Sequence, residues 1–126
     1  MKRKIITTGD GSKTIQIEGW DEQYHSKHGA VQEAYHVFME HGLRLFQNEE
    51  VKLLEIGFGT GLNALITLME APKQQLSVDY VGVEAFPVSM EEVGALDYCR
   101  QLEAEVHQAD FQKMHSSPWE ETVSIT

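Results

Sequence analysis

The chain has 126 residues, enough for one domain with its own core, since 41 % of them are hydrophobic. Its 20 acidic against 10 basic residues leave a net charge of −10, which excludes broad electrostatic adhesion to nucleic acid or anionic membrane but leaves room for a local basic patch. A single cysteine, Cys99, excludes an intramolecular disulfide and suits a reducing compartment; with no signal peptide and no apolar run near ~18 residues, a cytoplasmic protein is expected.

Met1 to Lys4 is a short basic start. Ile5-Ile6-Thr7-Thr8 and Thr14-Ile15-Gln16-Ile17 flank Gly9-Asp10-Gly11-Ser12-Lys13. An Asp-Gly turn between β-branched runs predicts an N-terminal β-hairpin outside the main sheet. Trp20 to Ala30 is polar, aromatic and rich in histidine. From Ala30 onward, Val31, Ala34, Tyr35, Phe38 and Met39 recur on one helical face; Gly42 stops the helix and Leu43 to Phe46 adds a short turn. His25, His28, His36 and His41 fall at spacings that place no coherent ligand set on one face, so no metal site is expected. Tyr24, Ser26 and Glu33 immediately precede the next segment and are candidates to close over a ligand held there. Each also has a plainer reading, on the surface or, for Ser26, at the helix start.

Lys52 to Asn63 reads K-L-L-E-I-G-F-G-T-G-L-N and organises the chain. Val51, Leu53, Leu54 and Ile56 form a short apolar run with Glu55 inside it; Gly57, Gly59 and Gly61 alternate after it. Leu62, Ala64, Leu65, Leu68 and Met69 then recur at helical spacing. This is a strand, a glycine turn and a helix, the opening of a nucleotide-binding βαβ unit. Glycines permit the tight turn and let a ligand approach the backbone, while amides at the helix start favour a negative group. A dinucleotide fingerprint would read G-x-G-x-x-G, and Leu62 stands where its last glycine belongs. Glu55, unusual in a buried strand, is able to accept hydrogen bonds from the turn or from a ligand amine.

Val78, Tyr80, Val81 and Val83 form a second β-rich run ending at Glu84-Ala85-Phe86-Pro87. An acid at that place, some twenty residues past the turn, is where such folds hold ribose hydroxyls, and Phe86 would pack on the adenine. Ser89-Met90-Glu91-Glu92 is a capping box announcing a helix that carries Val93, Leu96 and Cys99 inward. Leu102, Val106, Ala109 and Phe111 to Met114 suggest a further helical piece ending at Ser116-Ser117-Pro118, with Trp119 as a packing anchor. Thr122 to Thr126 has β character. Only the first half of a doubly wound sheet is legible, so the chain is expected to be a fragment or to complete its sheet with another chain.

E-I-G-F-G-T-G resembles the first motif of class I S-adenosylmethionine-dependent methyltransferases. H-S-K-H-G-A-V-Q-E-A-Y-H-V-F, L-E-I-G-F-G-T-G-L-N-A-L and V-G-V-E-A-F-P together resemble the bacterial methyltransferases that finish 5-methylaminomethyl-2-thiouridine at the tRNA wobble position. The resemblance implies an α/β, Rossmann-like class I methyltransferase fold, of which this chain is the cofactor-binding first half. Residues 1–19 would be the hairpin, 20–50 a helical cap and 51–126 the first half of the sheet, all in one domain. It implies S-adenosylmethionine as cofactor and tRNA as substrate, with methyl transfer to an exocyclic aminomethyl nitrogen. The cofactor would be held by Glu55, Gly57, Phe58, Gly59, Thr60, Gly61, Asn63, Glu84, Ala85 and Phe86, with the three glycines on its methionine side and Glu84 on its ribose. Glu33 and Tyr24 would stand near the target amine as the catalytic candidates in this chain. An acidic D-[AG]-F-A-P loop, which the family places further on, is absent from these residues. Two other readings remain beside it: a non-catalytic cofactor-binding or assembly module, and a nicotinamide oxidoreductase, which the glycine spacing disfavours; in any of them a chain complete as given is expected to associate with a second copy or to be marginally stable.

Overall fold

The structure, a computed structural model, describes residues 2–19 and 22–125. Met1, Trp20, Asp21 and Thr126, on which parts of the predicted basic start, histidine-rich stretch and C-terminal β run fall, lie outside the described residues.

β1 (Arg3–Thr7) and β2 (Lys13–Ile17) pair antiparallel about the Asp-Gly turn, and a short β3 (Glu22–Gln23) extends the sheet on the far side of β2. The hairpin does more than cover an edge. The first amides of a helix have no partner within it, and here the hairpin loop supplies them. The N–H groups of Ala30, Val31 and Gln32 donate to Thr8 Oγ1 (3.0 Å), Ser12 Oγ (3.2 Å) and Asp10 Oδ2 (2.9 Å). Burial would raise the Asp10 carboxyl, but donors from Ser12, Gln32 and Thr8 outweigh it and hold the group below its usual range. The helix so capped is α1 (Ala30–Glu33), which widens into a π-helix over Ala34–Glu40.

β4 (Glu50–Ile56), α2 (Leu62–Glu70) and β5 (Ser77–Val83) form a βαβ unit in which the strands pair in parallel, Leu54 opposite Val81 and Ile56 opposite Val83. α2 buries Leu62, Leu65 and Ile66 completely or nearly so. The capping box forms as expected at the head of α3 (Met90–Leu96): Glu92 N–H donates to Ser89 Oγ and Ser89 N–H to the Glu92 carboxylate. α4 (Tyr98–Gln101) and α5 (Gln108–Ser116) follow, and Val93, Leu96, Tyr98, Cys99 and Phe111 join Ile15, Met39 and Leu65 in one core. The Tyr98 hydroxyl donates to the Lys13 carbonyl at 2.7 Å, fastening α4 to β2.

Several expectations are corrected. The helix expected to run from Ser89 through Cys99 is broken at Asp97 (φ 53°) into α3 and α4, and the further piece expected from Leu102 starts only past Glu103 (φ 54°), with α5 from Gln108. Phe111 is buried, but Val106 is 85 % exposed and Ala109 also faces out. Trp119 is 59 % exposed and is not part of the core formed by the described residues. Residues 121–125 form no strand; β character needs a partner edge to become a strand. The apolar run of β4 is covered on one face only, with Leu54 and Ile56 exposed.

Candidate functional site

The glycine turn folds where the two strands end. Gly57 and Phe58 both donate N–H groups to the Val83 carbonyl (2.8 and 2.9 Å), so the chain leaves β4 across the tip of β5 before entering α2. Gly57, Gly59 and Gly61 have φ of +85°, +58° and +80°, a region that side-chain-bearing residues rarely adopt. A Cβ on Gly57 would meet open space, whereas one on Gly59 would lie 3.2 Å from the Tyr24 ring. The Tyr24 ring therefore lies against the turn at Gly59.

Around the turn lies a cavity of about 330 Å³, within the range of small-molecule sites. Tyr24, His25, Glu33 and Phe38 form one side; Glu55, Asn63 and the turn form the other. Glu33 and Tyr24, from the N-terminal segment, are thus brought together with Glu55 and the turn. Ser26 does not cap the helix. Its N–H donates to Glu33 Oε1 at 3.2 Å and its hydroxyl accepts from His28 N–H, so it positions the Glu33 carboxylate.

Glu55 is held on both oxygens: Tyr80 O–H donates to Oε1 at 2.6 Å and Asn63 Nδ2 to Oε2 at 2.8 Å. Burial pushes its carboxyl up, against these two donors that favour the charged form, and the nearby Glu84 charge adds to the rise. Burial and the Glu55 contact raise the Tyr80 hydroxyl too, so it stays protonated and donating. Glu84 grips the turn itself, accepting from Gly59 N–H at 2.6 Å and from Phe86 N–H at 3.1 Å. A carboxylate oxygen has further lone pairs, so this grip leaves capacity for a diol. Phe86 is 61 % exposed, an available flat surface beside Glu84, and Ala85 is exposed between them. Phe58 lines the cavity, but part of its ring sits in the notch at Gly82, where a Cβ would come within 2.6 Å of Phe58 Cδ2. Thr60 is 1 % exposed and points inward, its hydroxyl unpartnered among the described residues.

Three contributors were not foreseen. Arg3, read only as part of a basic start, donates to the Phe86 carbonyl (3.0 Å), the Tyr24 hydroxyl (3.3 Å) and Glu92 (2.9 Å), tying β1 to the Glu84–Pro87 corner. His115 backs the turn: its ring packs against Phe58 and Phe111 (centroids 5.4 and 4.8 Å), and a Cβ on Gly61 would lie 2.7 Å from its Nε2. Burial lowers its pKa. The i, i+4 spacing of Phe111 and His115 on α5 was the available signal. His25 accepts or donates through Nδ1 to Thr14 Oγ1 at 2.8 Å, and burial lowers its pKa to about 4, so it lines the cavity as a neutral ring. Among the described residues no three His, Cys, Asp or Glu side chains come together in a way that would hold a metal ion, and no helix is long and apolar enough to cross a membrane.

No protein-family model matches the chain. It is 32 % identical over 97 residues to the tRNA 5-methylaminomethyl-2-thiouridine biosynthesis bifunctional protein MnmC of Leptospira interrogans, an alignment covering 70 % of this chain and 15 % of that protein. The protein of the same name from Acidovorax sp. is 37 % identical over 76 residues (56 % of this chain, 12 % of that protein). The one from Hydrogenovibrio crunogenus is 26 % identical over 129 residues, covering 94 % of this chain and 19 % of its own length. Among solved structures, that of MNMC2 from Aquifex aeolicus superposes with a TM-score of 0.62 at 27 % identity, over 70 % of this chain and 31 % of that one. The chain therefore spans less than a fifth of these curated relatives.

Proposed function

We propose that this chain, a relative of the tRNA 5-methylaminomethyl-2-thiouridine biosynthesis MnmC proteins, forms the donor-binding part of a Rossmann-like S-adenosylmethionine-dependent methyltransferase acting on the aminomethyl group of wobble uridine in tRNA. The relatives' name includes the word bifunctional, so the choice of chemistry for this part rests on the cavity. The carrying observation is its charge. Glu33 and Glu55 line it, His25 is neutral there, and no lysine or arginine is among its described lining residues. Such a lining suits a ligand bearing sulfonium and ammonium groups. It opposes the pyrophosphate of a nicotinamide or flavin dinucleotide, which carries two negative charges.

The residues fit that ligand. The open space at Gly57 admits a close backbone approach, Glu84 stands at the strand end with lone pairs for a diol, and Phe86 offers an exposed ring beside it. When bound, S-adenosylmethionine supplies a methyl group on a sulfonium that departs as a neutral thioether. Transfer of that methyl group to the acceptor amine would release one proton, which a group of this chain must take up. Glu33 holds the amine and receives that proton or passes it to water. Tyr24, packed over Gly59, excludes solvent from the same place. Isothermal titration of the chain with S-adenosylmethionine, NAD and FAD tests the reading. Saturable binding of the first alone supports it; binding of a dinucleotide in its stead overturns it.

A further inference from the structure

Arg3 lies on β1, outside the lining of the donor cavity, and reaches several parts of the chain at once. Its Nη1 donates to the Tyr24 hydroxyl (3.3 Å) and the Phe86 carbonyl (3.0 Å), and its Nη2 to the Pro87 carbonyl (3.4 Å) and Glu92 Oε1 (2.9 Å). These contacts close into a ring. Arg3 holds the Phe86 backbone, and Phe86 N–H donates to Glu84 Oε2. Glu84 Oε1 accepts from Gly59 N–H, the Tyr24 ring lies against Gly59, and the Tyr24 hydroxyl leads back to Arg3. Ala85, Phe86 and Pro87 are exposed, and the hydrogen bonds this corner makes among the described residues go to Glu84 and Arg3. A guanidinium suits the position, because one rigid fork serves carbonyls, a carboxylate and a phenol together. The Arg3 and Glu92 side chains are 17 and 20 % exposed, so the charge of the arginine is compensated at close range and does not oppose a cation in the cavity.

We infer that Arg3 is a positioning residue of the donor site: it holds the Glu84 carboxylate and the glycine turn in the register that a ribose diol needs. This rests on the donor-binding reading above. Arg3 touches no part of the ligand itself. Its removal therefore falls on the ribose share of binding and leaves the rest of the donor contacts in place.

The test is calorimetric titration of the full chain with S-adenosylhomocysteine and with its 2′,3′-dideoxyribose analogue, with thermal unfolding run on each variant. Wild type should favour the ribose compound roughly tenfold, as hydrogen bonds to a charged group imply. Arg3→Met should cut that preference to about twofold and change the affinity for the dideoxy compound by less than about twofold. Arg3→Lys, which keeps the charge and the Glu92 pair but not the fork, should fall between. Added to Glu84→Ala, Arg3→Met should remove no further preference. A full ribose preference in Arg3→Met, or a loss shared equally by the two compounds, overturns the positioning role while the donor reading stands. If Arg3→Met does not fold, Arg3→Lys carries the test: a reduced ribose preference supports the role and an unchanged one overturns it. Wild type that binds the two compounds alike places the ribose away from Glu84 and overturns the role as well. Failure of S-adenosylhomocysteine to bind wild type overturns the donor reading itself.

Discussion

Leu54 and Glu55 are neighbours in the chain and face opposite sides of the β4–β5 pair. On the Glu55 side, a half-buried carboxylate is met by Tyr80 and Asn63, Leu53 packs against the core, and the donor cavity opens at the strand ends. On the Leu54 side, Leu54, Ile56, Val81 and Val83 stand side by side and are 64, 76, 52 and 48 % exposed. A parallel pair is ordinarily apolar on both faces because both are covered. Here one face is covered and holds the Glu55 carboxylate among Val51, Leu53 and Val78, while the other is open: Glu50, Lys52, Ser77 and Asp79 occupy its first half and the four apolar side chains its second. A carboxylate on the covered face therefore marks the site, and the apolar end of the open face marks where the described residues end their packing.

The largest effect is expected from Gly61→Val, on the covered side. A β-branched residue at φ +80° is strained, and its side chain must displace His115, which two rings hold in place. The cost should be about 3 kcal/mol in denaturant unfolding. An unchanged midpoint would show that the turn is loose and the two faces less different than they look. Glu55→Leu should cost about 2 kcal/mol, because it leaves the Tyr80 hydroxyl partly buried without an acceptor; a neutral outcome would mean that water reaches that side.

Acid sharpens the comparison further. The His25 pKa is lowered to about 4 in the fold, so the folded state resists its protonation. The stability it confers is full above the unfolded value of roughly 6.5 and is lost as pH falls from there toward 4. Wild-type protein should lose roughly 1–2 kcal/mol over that window. His25→Asn, which keeps a polar partner for Thr14, should flatten the loss, and an equal slope in both proteins would place the acid sensitivity elsewhere. The smallest effect belongs to the open face: Leu54→Lys should change stability by less than about 0.5 kcal/mol. A much larger cost that grows with protein concentration would mean that another copy covers the face in solution.

The glycine turn and the capping box at Ser89 were legible in the sequence because each is local: spacing along the chain sets the geometry; the grip of Glu84 on Gly59, 25 residues away, was not. The alternation within β4 was present in V-K-L-L-E-I too, but Leu53-Leu54 made it read as a continuous apolar run. Arg3, His115 and Asp10 were not legible as site or capping residues. Each acts on a partner far along the chain, through the Phe86 carbonyl, Gly61 and the amide of Gln32 respectively. Only the fold brings such pairs together. The π-helix after Glu33 has no signature in the periodicity, since Ala34, Tyr35, Phe38 and Met39 read as an ordinary helical stripe.

The most direct measurement is calorimetric titration of S-adenosylmethionine into wild type and Gly59→Val, with thermal unfolding run alongside to establish that the variant is folded. Gly59 sits at φ +58° with its N–H held by Glu84, and a Cβ there would stand 3.2 Å from the Tyr24 ring. The account predicts saturable binding to wild type and none detectable to a folded Gly59→Val. Equal binding to both would contradict it.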